Sequence, residues 1–359
     1  MNDLLALTAE LVDIASPSGQ EAALADHVES VLSPIPWLQV DRHGDNVVAR
    51  TNLGRSQRLI LAGHLDTVVA QGNERSRVDG DTLWGLGSSD MKSGLAVFLD
   101  LAMTVAEPSV DVTYVFYSCE EVEQSRSGLG QLFSERPDLL VGDAAILGEP
   151  TGGVVEAGCQ GTLRIAITLA GRCAHTARPW MGVNAIHRLG YLLAKVGAYE
   201  GRRPVIDGCE FREALQAVHV EGGVAGNVVP DRAIVTLNHR FAPDRNGDVA
   251  LAAVLDLLGD AIGPDDEIVI VDQVDGSLPG LSHPLISRLI QRGDELGPLE
   301  VRSKLGWTDV ARFASHGIAA CNFGPGDPTL AHAPDERVEK ASLEAVHRVL
   351  ASLLQSPAS

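Results

Sequence analysis

Histidine and carboxylate side chains follow three separate apolar segments of this 359-residue chain. His64 and Asp66 end the first segment, Glu120 and Glu121 end the second, and Glu149 ends the third. Imidazole nitrogens and carboxylate oxygens are ligands that Zn²⁺ and related divalent ions accept. Because ligands of open α/β sheets bind beyond the carboxyl ends of the strands, this pattern predicts a shared metal site at one sheet edge.

Two further candidate ligands lie outside these segments. Asp90 stands in a glycine-rich turn, residues 84–94, before an apolar run that is expected to form a helix. His332 stands in a loop far along the chain. Together, two histidines and three carboxylates match the needs of two divalent ions about 3.5–4 Å apart that share one bridging carboxylate.

The remaining acidic side chains have expected roles beside the ions. Of the adjacent pair Glu120 and Glu121, one can bind a metal while the other serves as a general base. Asp66 lies two residues after His64 along one strand, and it is expected to hold the imidazole in one tautomer rather than to bind a metal.

Each of these features has a simpler interpretation when it is taken alone. An isolated His-x-Asp sequence is usually a surface pair, and an acidic residue such as Asp90 is often only a helix cap. Glu120 and Glu121 alone form a solvated acidic pair. Gly85 and Gly87 favour a nucleotide-binding loop only weakly, because Asp90 stands where a third glycine is expected. Only the combination favours a metal site.

The composition is that of an acidic globular protein. The formal net charge of −20 disfavours a nucleic-acid partner and an anionic membrane surface. Five cysteines without a CxxC pair indicate reduced thiols, and the N-terminal residues lack the basic region of a signal peptide. No apolar run is long enough to span a bilayer. We therefore expect a cytoplasmic protein with neither nucleic acid nor membrane as a partner.

The order of apolar segments predicts the fold class and its domains. Alternating strands and helices predict an α/β fold with a mostly parallel sheet flanked by helices, formed by residues 1–160 and 277–359. Residues 161–276 change to a strand, helix, strand, helix, strand order, which predicts an inserted α+β unit. Ser18 and Glu21 have the spacing of a capping box ahead of the second helix.

Taken together, the motifs resemble those of the co-catalytic zinc aminoacylase/carboxypeptidase family, over essentially the whole chain. The resemblance implies a metal-dependent amide hydrolase whose products are a free amine and a carboxylic acid. It also implies two divalent ions, Zn²⁺ or alternatively Co²⁺, since nitrogen and oxygen ligands accept both. The motifs that carry the resemblance are Gly63–Asp66, Gly85–Lys92, Glu120–Glu121, Gly148–Thr151 and Ala331–Pro334.

The resemblance further implies a role for each candidate residue. Glu120 is the implied general base, and Asp66 is the implied outer partner of a metal-binding histidine. Asp90 is the implied bridge between the two ions. The implied ligands are His64, Asp90 and Glu149 for one ion and Asp90, Glu121 and His332 for the other.

Residues 161–276 resemble the lid and dimerisation domain of this family. His175 is similar to a histidine that reaches the active site of a partner subunit and steadies the oxyanion there. The resemblance therefore implies a homodimer formed through the lid, with substrate contacts from Arg178, Asn227 and Arg240. Taken alone, His175 is more typical of a loop histidine without a role, and Arg240 of a solvated strand residue.

The substrate is expected from the C-terminal segments. Residues 305–313, which include the candidate substrate contact Thr308, and residues 323–327 are most similar to the desuccinylase branch of the family. This similarity implies hydrolysis of N-succinyl-LL-2,6-diaminopimelate, a small acylated amino acid of lysine and diaminopimelate biosynthesis. The alternatives are an acetylornithine deacetylase, an aminoacylase, a di- or tripeptidase, or a metal-retaining binding protein without catalysis. The acid at Glu120 disfavours the last alternative, because a binding protein needs no general base.

Overall fold

The computed structural model describes residues 2–355, and the chain divides into two compact units. Among the described residues, the first unit comprises residues 2–157, Gly280–Arg302 and residues 312–355. The second unit comprises Gly158–Pro279 and Ser303–Ala311. Within the described range, none of the helices combines the length and the apolar character that crossing a membrane requires.

The N-terminal part of the chain alternates between strands and helices, as the sequence predicts. Its helices are α1 (Leu4–Asp13), α2 (Ala22–Leu32), α3 (Lys92–Thr104) and α4 (Gly128–Glu135). Its strands are β1 (Gln39–His43), β2 (Asn46–Arg50), β3 (Arg58–His64), β4 (Arg77–Asp79), β5 (Thr82–Trp84), β6 (Asp111–Tyr117) and β7 (Ala144–Leu147).

The middle and C-terminal parts contain the remaining elements. The middle part has β8 (Val155–Cys159), β9 (Gly161–Ala170), β10 (Ala174–His175), α5 (Ala185–Gly197), β11 (Val205–Ile206), β12 (Cys209–Glu210), β13 (Ala214–Gly222), β14 (Val228–Val229), β15 (Arg232–Phe241), α6 (Gly247–Leu258) and β16 (Glu267–Val274). The C-terminal part has α7 (Pro284–Leu296), β17 (Val301–Lys304), α8 (Val310–Ser315), β18 (Ala319–Asn322), β19 (Arg337–Glu339) and α9 (Lys340–Gln355).

The first unit is built on a sheet with the strand order β1-β2-β6-β3-β7-β18-β8-β17. Its four central strands, β6, β3, β7 and β18, run parallel to one another. Strands β3, β6 and β7 are buried almost throughout, as expected for parallel strands that are covered on both faces. Helix α3 is buried from Lys92 to Ala102. The predicted α/β class with a mainly parallel sheet flanked by helices is confirmed.

The second unit is built on a four-stranded antiparallel sheet with the order β13-β15-β9-β16. Along β9 and β15, buried residues alternate with more exposed ones, because one face of the sheet packs against α5 and α6. The sequence analysis did not predict β13. This strand lies at an edge of the sheet and is exposed over most of its length, so that it lacks the alternating burial of its neighbours.

The predicted capping box ahead of α2 is wrong. The Ser18 hydroxyl donates to Asp66 Oδ2 at 2.7 Å instead of binding the helix. The Glu21 carboxylate accepts from the backbone N–H groups of Gly19, at 2.8 Å, and Cys119, at 3.1 Å. Glu21 precedes α2 directly and makes no side-chain capping bond. Partners outside α2, among them the distant Asp66 and Cys119, therefore engage both side chains that the local pattern assigned to the helix.

Replacement of Gly94 in α3 by alanine is expected to destabilise the first unit. An added Cβ atom would lie 2.2 Å from the carbonyl oxygen of Gly148, which belongs to the backbone of a neighbouring segment. Overpacking of this kind costs about 1–3 kcal/mol. Because the clash is with backbone at only 2.2 Å, we expect a cost in the upper part of this range, above the ~1 kcal/mol that alanine gains over glycine inside a helix. Urea unfolding followed by circular dichroism measures the change.

Gly190→Ala in α5 is the matched control. No neighbouring group lies within 4 Å of a Cβ atom added there. Alanine should therefore stabilise the protein by about 0.5–1 kcal/mol through its helix preference alone. Equal stability of Gly94→Ala and the wild type would contradict the close approach of α3 to Gly148.

Candidate metal centre

The candidate ligands of the first unit meet at the carboxyl ends of adjacent parallel strands. His64 is the last residue of β3, which lies between β6 and β7 in the sheet. Glu121 follows β6, and Glu149 lies two residues after β7. Asp90 precedes α3, and its carboxylate comes to the same sheet edge, within 3.2 Å of His64. The sheet order thus gathers side chains that are far apart in the sequence.

The carboxylate of Asp90 lies between two imidazole rings. Its Oδ1 is 3.2 Å from His64 Nε2, and its Oδ2 is 3.5 Å from His332 Nε2. His332 Nε2 is also 2.8 Å from Glu121 Oε1. Ligand atoms of His64, Asp90 and Glu121 all lie within 4.8 Å of one another. This set of nitrogen and oxygen donors fits divalent ions such as Zn²⁺, and Asp90 turns one oxygen toward each histidine, as a bridge requires.

The buried Asp66 carboxylate holds the turn that carries the paired acids. Its Oδ1 accepts from the Glu120 N–H at 2.9 Å, and its Oδ2 accepts from the Glu121 N–H at 3.0 Å and from the Ser18 hydroxyl at 2.7 Å. Burial opposes ionisation of Asp66, but His64 and these backbone N–H groups lower its pKa to about 2. Asp66 is therefore a charged anchor beneath Glu120 and Glu121.

Asp66 also orients the His64 ring. His64 Nδ1 lies 3.0 Å from the backbone carbonyl oxygen of Asp66 and 3.5 Å from its carboxylate Oδ1. A carbonyl oxygen only accepts hydrogen bonds, so a neutral ring keeps its proton on Nδ1. Nε2 then presents its lone pair toward Asp90, on the side where a cation would bind.

The carboxylates favour positive charge on both histidines. Burial opposes charge on His64, but the carboxylates of Asp66 and Asp90, which accept hydrogen bonds from the ring, raise its pKa well above the usual value. Asp90 and Glu121 raise the pKa of His332 to about 10. Burial also opposes ionisation of Asp90, but the two histidines hold its pKa far below its usual range. Protons and divalent cations therefore compete for the same positions.

Sequence reasoning missed two side chains that brace the Glu120 turn. Ser18 donates to Asp66, and Glu21 accepts from the N–H of Cys119. Cys119 has a φ of 58°, a left-handed conformation that is uncommon for residues other than glycine. These contacts connect the N-terminal loop to a turn about a hundred residues later. The only local signal was the Ser-x-x-Glu spacing, which resembles a helix cap.

Three of the predicted lid residues lie close together in the second unit. His175 pairs with Val228 between β10 and β14. The backbone N–H of Thr176 donates to the Asn227 carbonyl at 3.0 Å, and the N–H of Arg178 donates to the His175 carbonyl at 2.7 Å. The side chains of His175, Arg178 and Asn227 are exposed. This loop cluster therefore presents an imidazole, a guanidinium and an amide on one surface region.

The other two predicted substrate contacts belong to different elements of the second unit. Arg240 lies on β15, where burial is the largest effect lowering its pKa. Thr308 is buried in the segment Ser303–Ala311, and its backbone carbonyl accepts from Cys159 Sγ at 3.8 Å. Thr308 thus lies in the same compact unit as the other candidate substrate contacts, although the predicted domain boundaries place it outside residues 161–276.

Comparisons with known proteins cover almost the whole chain. Residues 60–356 match the model of peptidase family M20/M25/M40. A Mycobacterium tuberculosis protein provisionally named succinyl-diaminopimelate desuccinylase DapE is 52% identical, over 96% of this chain and 95% of its own length. The succinyl-diaminopimelate desuccinylase of Corynebacterium glutamicum is 46% identical, over 99% of this chain and 96% of its own length.

Solved structures share the fold at lower identity. A Staphylococcus aureus tripeptidase superimposes with a TM-score of 0.81 at 21% identity, covering 98% of this chain and 97% of that chain. The YXEP protein of Bacillus subtilis, described as a dinuclear metal-binding peptidase, superimposes with a TM-score of 0.73 at 15% identity. The superposition covers 98% of this chain and 96% of that chain. At these identities the similarity establishes the fold alone.

Zn²⁺ binding at this centre is expected to release protons at pH 7. The neighbouring carboxylates raise the pKa of His332 to about 10 and that of His64 well above its usual value, so we expect both rings to carry a proton in the metal-free chain at pH 7. A metal ligand must be deprotonated, so each bound Zn²⁺ displaces ring protons. For every displaced proton, the apparent affinity for Zn²⁺ should fall about tenfold with each pH unit below 7. Calorimetry in buffers with different ionisation enthalpies counts the protons.

His332→Gln is the informative variant for this measurement. It removes one of the two titrating ligands, so the number of released protons should fall by one. A binding heat that is the same in every buffer would contradict the protonated state of the metal-free centre.

Proposed function

The chain belongs to peptidase family M20/M25/M40 and is a hydrolase, and from this premise we propose that it cleaves N-succinyl-LL-2,6-diaminopimelate to LL-2,6-diaminopimelate and succinate. Two relatives with desuccinylase names, 52% and 46% identical over nearly their full lengths, support the substrate. The observation that carries the reaction class is the Asp90 carboxylate between two imidazoles, beside the Glu120–Glu121 turn.

We propose two divalent ions, Zn²⁺ or Co²⁺, at the candidate metal centre. When bound, they polarise the scissile carbonyl and lower the pKa of water. Asp90 has one oxygen available toward each histidine, which supports its assignment as the bridge. The proposed ligands are His64, Asp90 and Glu149 for one ion and Asp90, Glu121 and His332 for the other.

Glu120 is the proposed general base. It accepts a proton from the attacking water and delivers that proton to the departing amine. The N–H groups of Glu120 and Glu121 bind different oxygens of the buried Asp66. This double attachment fixes the backbone of both acids. Glu121, whose Oε1 lies 2.8 Å from His332 Nε2, would hold a cation, and Glu120 would remain as the proton acceptor.

The residues of the second unit are proposed to handle the substrate. His175 steadies the oxyanion that forms at the scissile carbonyl. Arg178 and Arg240 bind carboxylates of the substrate, and Asn227 and Thr308 supply further polar contacts. The substrate carries several carboxylates and the protein has a net charge of −20, so local guanidinium groups are needed to bind it.

We further propose that the second unit is a lid through which two chains form a homodimer. Its edge strand β13 leaves Val218 and Val220 more than half exposed, and an unpaired apolar edge is commonly covered by a partner. A role in amino-acid biosynthesis places the enzyme in the cytoplasm. This location agrees with the five free cysteines, of which only Cys173 is exposed.

Hydrolysis of a substrate panel tests the proposed reaction. The metal-loaded protein is expected to cleave N-succinyl-LL-2,6-diaminopimelate faster than N-acetylornithine or simple di- and tripeptides. Glu120→Gln should bind both ions but lose about 10²–10⁴-fold in kcat, because shape is kept while the proton acceptor is lost. Metal analysis and release of the free amine give the two readouts.

Each alternative has its own outcome in this panel. A preference for N-acetylornithine or a peptide would assign the chain to another branch of the family. Metal binding without cleavage of any amide would indicate a binding protein. Near-normal turnover by Glu120→Gln would remove this residue from the role of general base.

Subunit mixing tests whether His175 acts on the partner's site. Glu120→Gln and His175→Ala homodimers are each expected to be nearly inactive. In a mixed dimer, a site with both an intact Glu120 and an intact His175 exists only if His175 acts across the interface. Mixing with full subunit exchange should therefore restore about a quarter of the wild-type activity, from one competent site in each mixed dimer. No recovery after verified exchange would refute the action in trans.

A further inference from the structure

The buried carboxyl group of Glu336 binds the loop that carries Asp90. Its Oε2 accepts from the Gly87 N–H at 2.9 Å, and its Oε1 accepts from the N–H groups of Ser89, at 2.8 Å, and Asp90, at 2.9 Å. The backbone carbonyl of Glu336 accepts from Gly85 at 3.0 Å. A single residue thus satisfies four N–H groups within the six residues from Gly85 to Asp90.

The loop makes other hydrogen bonds, such as those from the Leu86 N–H to the Asn73 carbonyl at 2.8 Å and from the Lys92 N–H to the Gly87 carbonyl at 2.7 Å. Among the described contacts, however, the N–H groups of Gly87, Ser89 and Asp90 are bound by Glu336 alone. Gly85 and Gly87 have φ values of 149° and 79°, in the region that favours glycine, so the segment belongs to no regular helix or strand. Buried N–H groups without partners cost about 1–3 kcal/mol each. The carboxyl group of Glu336 is 1% exposed and faces these N–H groups from within the fold. Its two oxygens therefore anchor the loop at Gly87, Ser89 and Asp90.

Glu336 also connects this loop to a second candidate ligand. It lies four residues after His332, and its own N–H donates to the Ala333 carbonyl at 3.1 Å, which closes the turn between them. Strand β19 then begins at the next residue and pairs with β5. The loops of Asp90 and His332, whose side chains lie 3.5 Å apart, are therefore joined through Glu336.

We propose that Glu336 is a positioning residue of the metal centre, which sets the separation of Asp90 and His332 by binding the backbone of the loop from Gly87 to Asp90. The inference rests on the proposed function, because it takes Asp90 and His332 as metal ligands. The described hydrogen bonds of Glu336 are all with backbone groups, so its proposed action on the centre is indirect. Its effect is to hold the bridging carboxylate and the histidine at a spacing that fits the cations.

A purely structural role predicts a different result. Glu336 lies near the buried Lys92, with which it interacts electrostatically, so its loss also affects packing. A residue that only stabilises the fold lowers the melting temperature and leaves the metal affinity of the folded protein unchanged. A positioning residue changes the affinity and the coordination geometry at temperatures where the protein is fully folded.

Metal-stripped variants separate these roles. Glu336→Gln keeps the shape of the side chain but replaces one acceptor oxygen by an NH₂ group that faces backbone donors. We expect its dissociation constant for Zn²⁺ to rise by about 10–100-fold, as for other residues that orient metal ligands. The visible absorption spectrum of the Co²⁺ form should change as well. Glu336→Asp, which keeps both oxygens on a shorter side chain, should show a smaller loss.

Glu339→Gln is the matched control on the same segment. Glu339 is exposed. Among the described contacts, its carboxylate accepts only from the Thr82 hydroxyl, which lies 3.0 Å from Oε1 and 2.9 Å from Oε2. This variant should bind Zn²⁺ with wild-type affinity and give the wild-type Co²⁺ spectrum. Melting of each metal-free variant reports any effect on folding, and Glu336→Asp serves for the comparison if Glu336→Gln does not fold.

The possible outcomes distinguish this inference from the proposed function. Wild-type affinity and an unchanged Co²⁺ spectrum in both Glu336 variants would overturn the positioning role while leaving the metal centre intact. Failure of the wild-type chain to bind Zn²⁺ or Co²⁺ would overturn the metal centre and this inference together. Weakened binding by Glu336→Gln, with Glu339→Gln unchanged, would support both.

Discussion

The hydrogen bonds of the buried Asp66 carboxylate are the contacts on which the candidate metal centre depends. They join the N-terminal loop at Ser18, the end of β3 and the turn at Glu120–Glu121. A buried carboxylate is tolerated only when its oxygens are satisfied, and the same bonds satisfy two backbone N–H groups of an irregular turn. The carboxylate and the N–H groups thus spare one another the free-energy cost of a buried polar group without a hydrogen bond.

The surrounding charges explain why this sheet edge suits cations. Asp90 and Glu121 place negative charge next to His64 and His332, and neighbouring carboxylates repel one another unless positive charge lies between them. The carboxylates raise the pKa of both imidazoles and so favour positive charge on them, and divalent ions at the proposed centre would supply more of that charge. An acidic protein can therefore carry a cluster of carboxylates that would be unfavourable as an isolated feature.

Both units contain buried and exposed candidate residues: His332 is exposed in the first unit, and Thr308 is buried in the second. In the first unit, His64 and Asp66 are almost completely buried, which suits groups that must hold a cation in a fixed geometry. In the second unit, His175, Arg178 and Asn227 are exposed and lie on short loops and a two-residue strand. Exposed polar groups can exchange water for a polar substrate at little cost.

The sequence by itself determined the α/β class, the strands that end in acidic residues, and His64, Asp90 and His332 as ligand candidates, because apolar runs and their polar ends are local patterns. Tertiary structure decided which side chains support those candidates. Glu21 and Glu336 bind backbone groups 98 and 246 or more residues away, and no local pattern encodes such partners. Edge strand β13 also escaped prediction, since an exposed strand lacks the alternating burial that identifies its neighbours. Long-range hydrogen bonding follows from the need to satisfy every buried polar group of the assembled chain, which only the complete fold specifies.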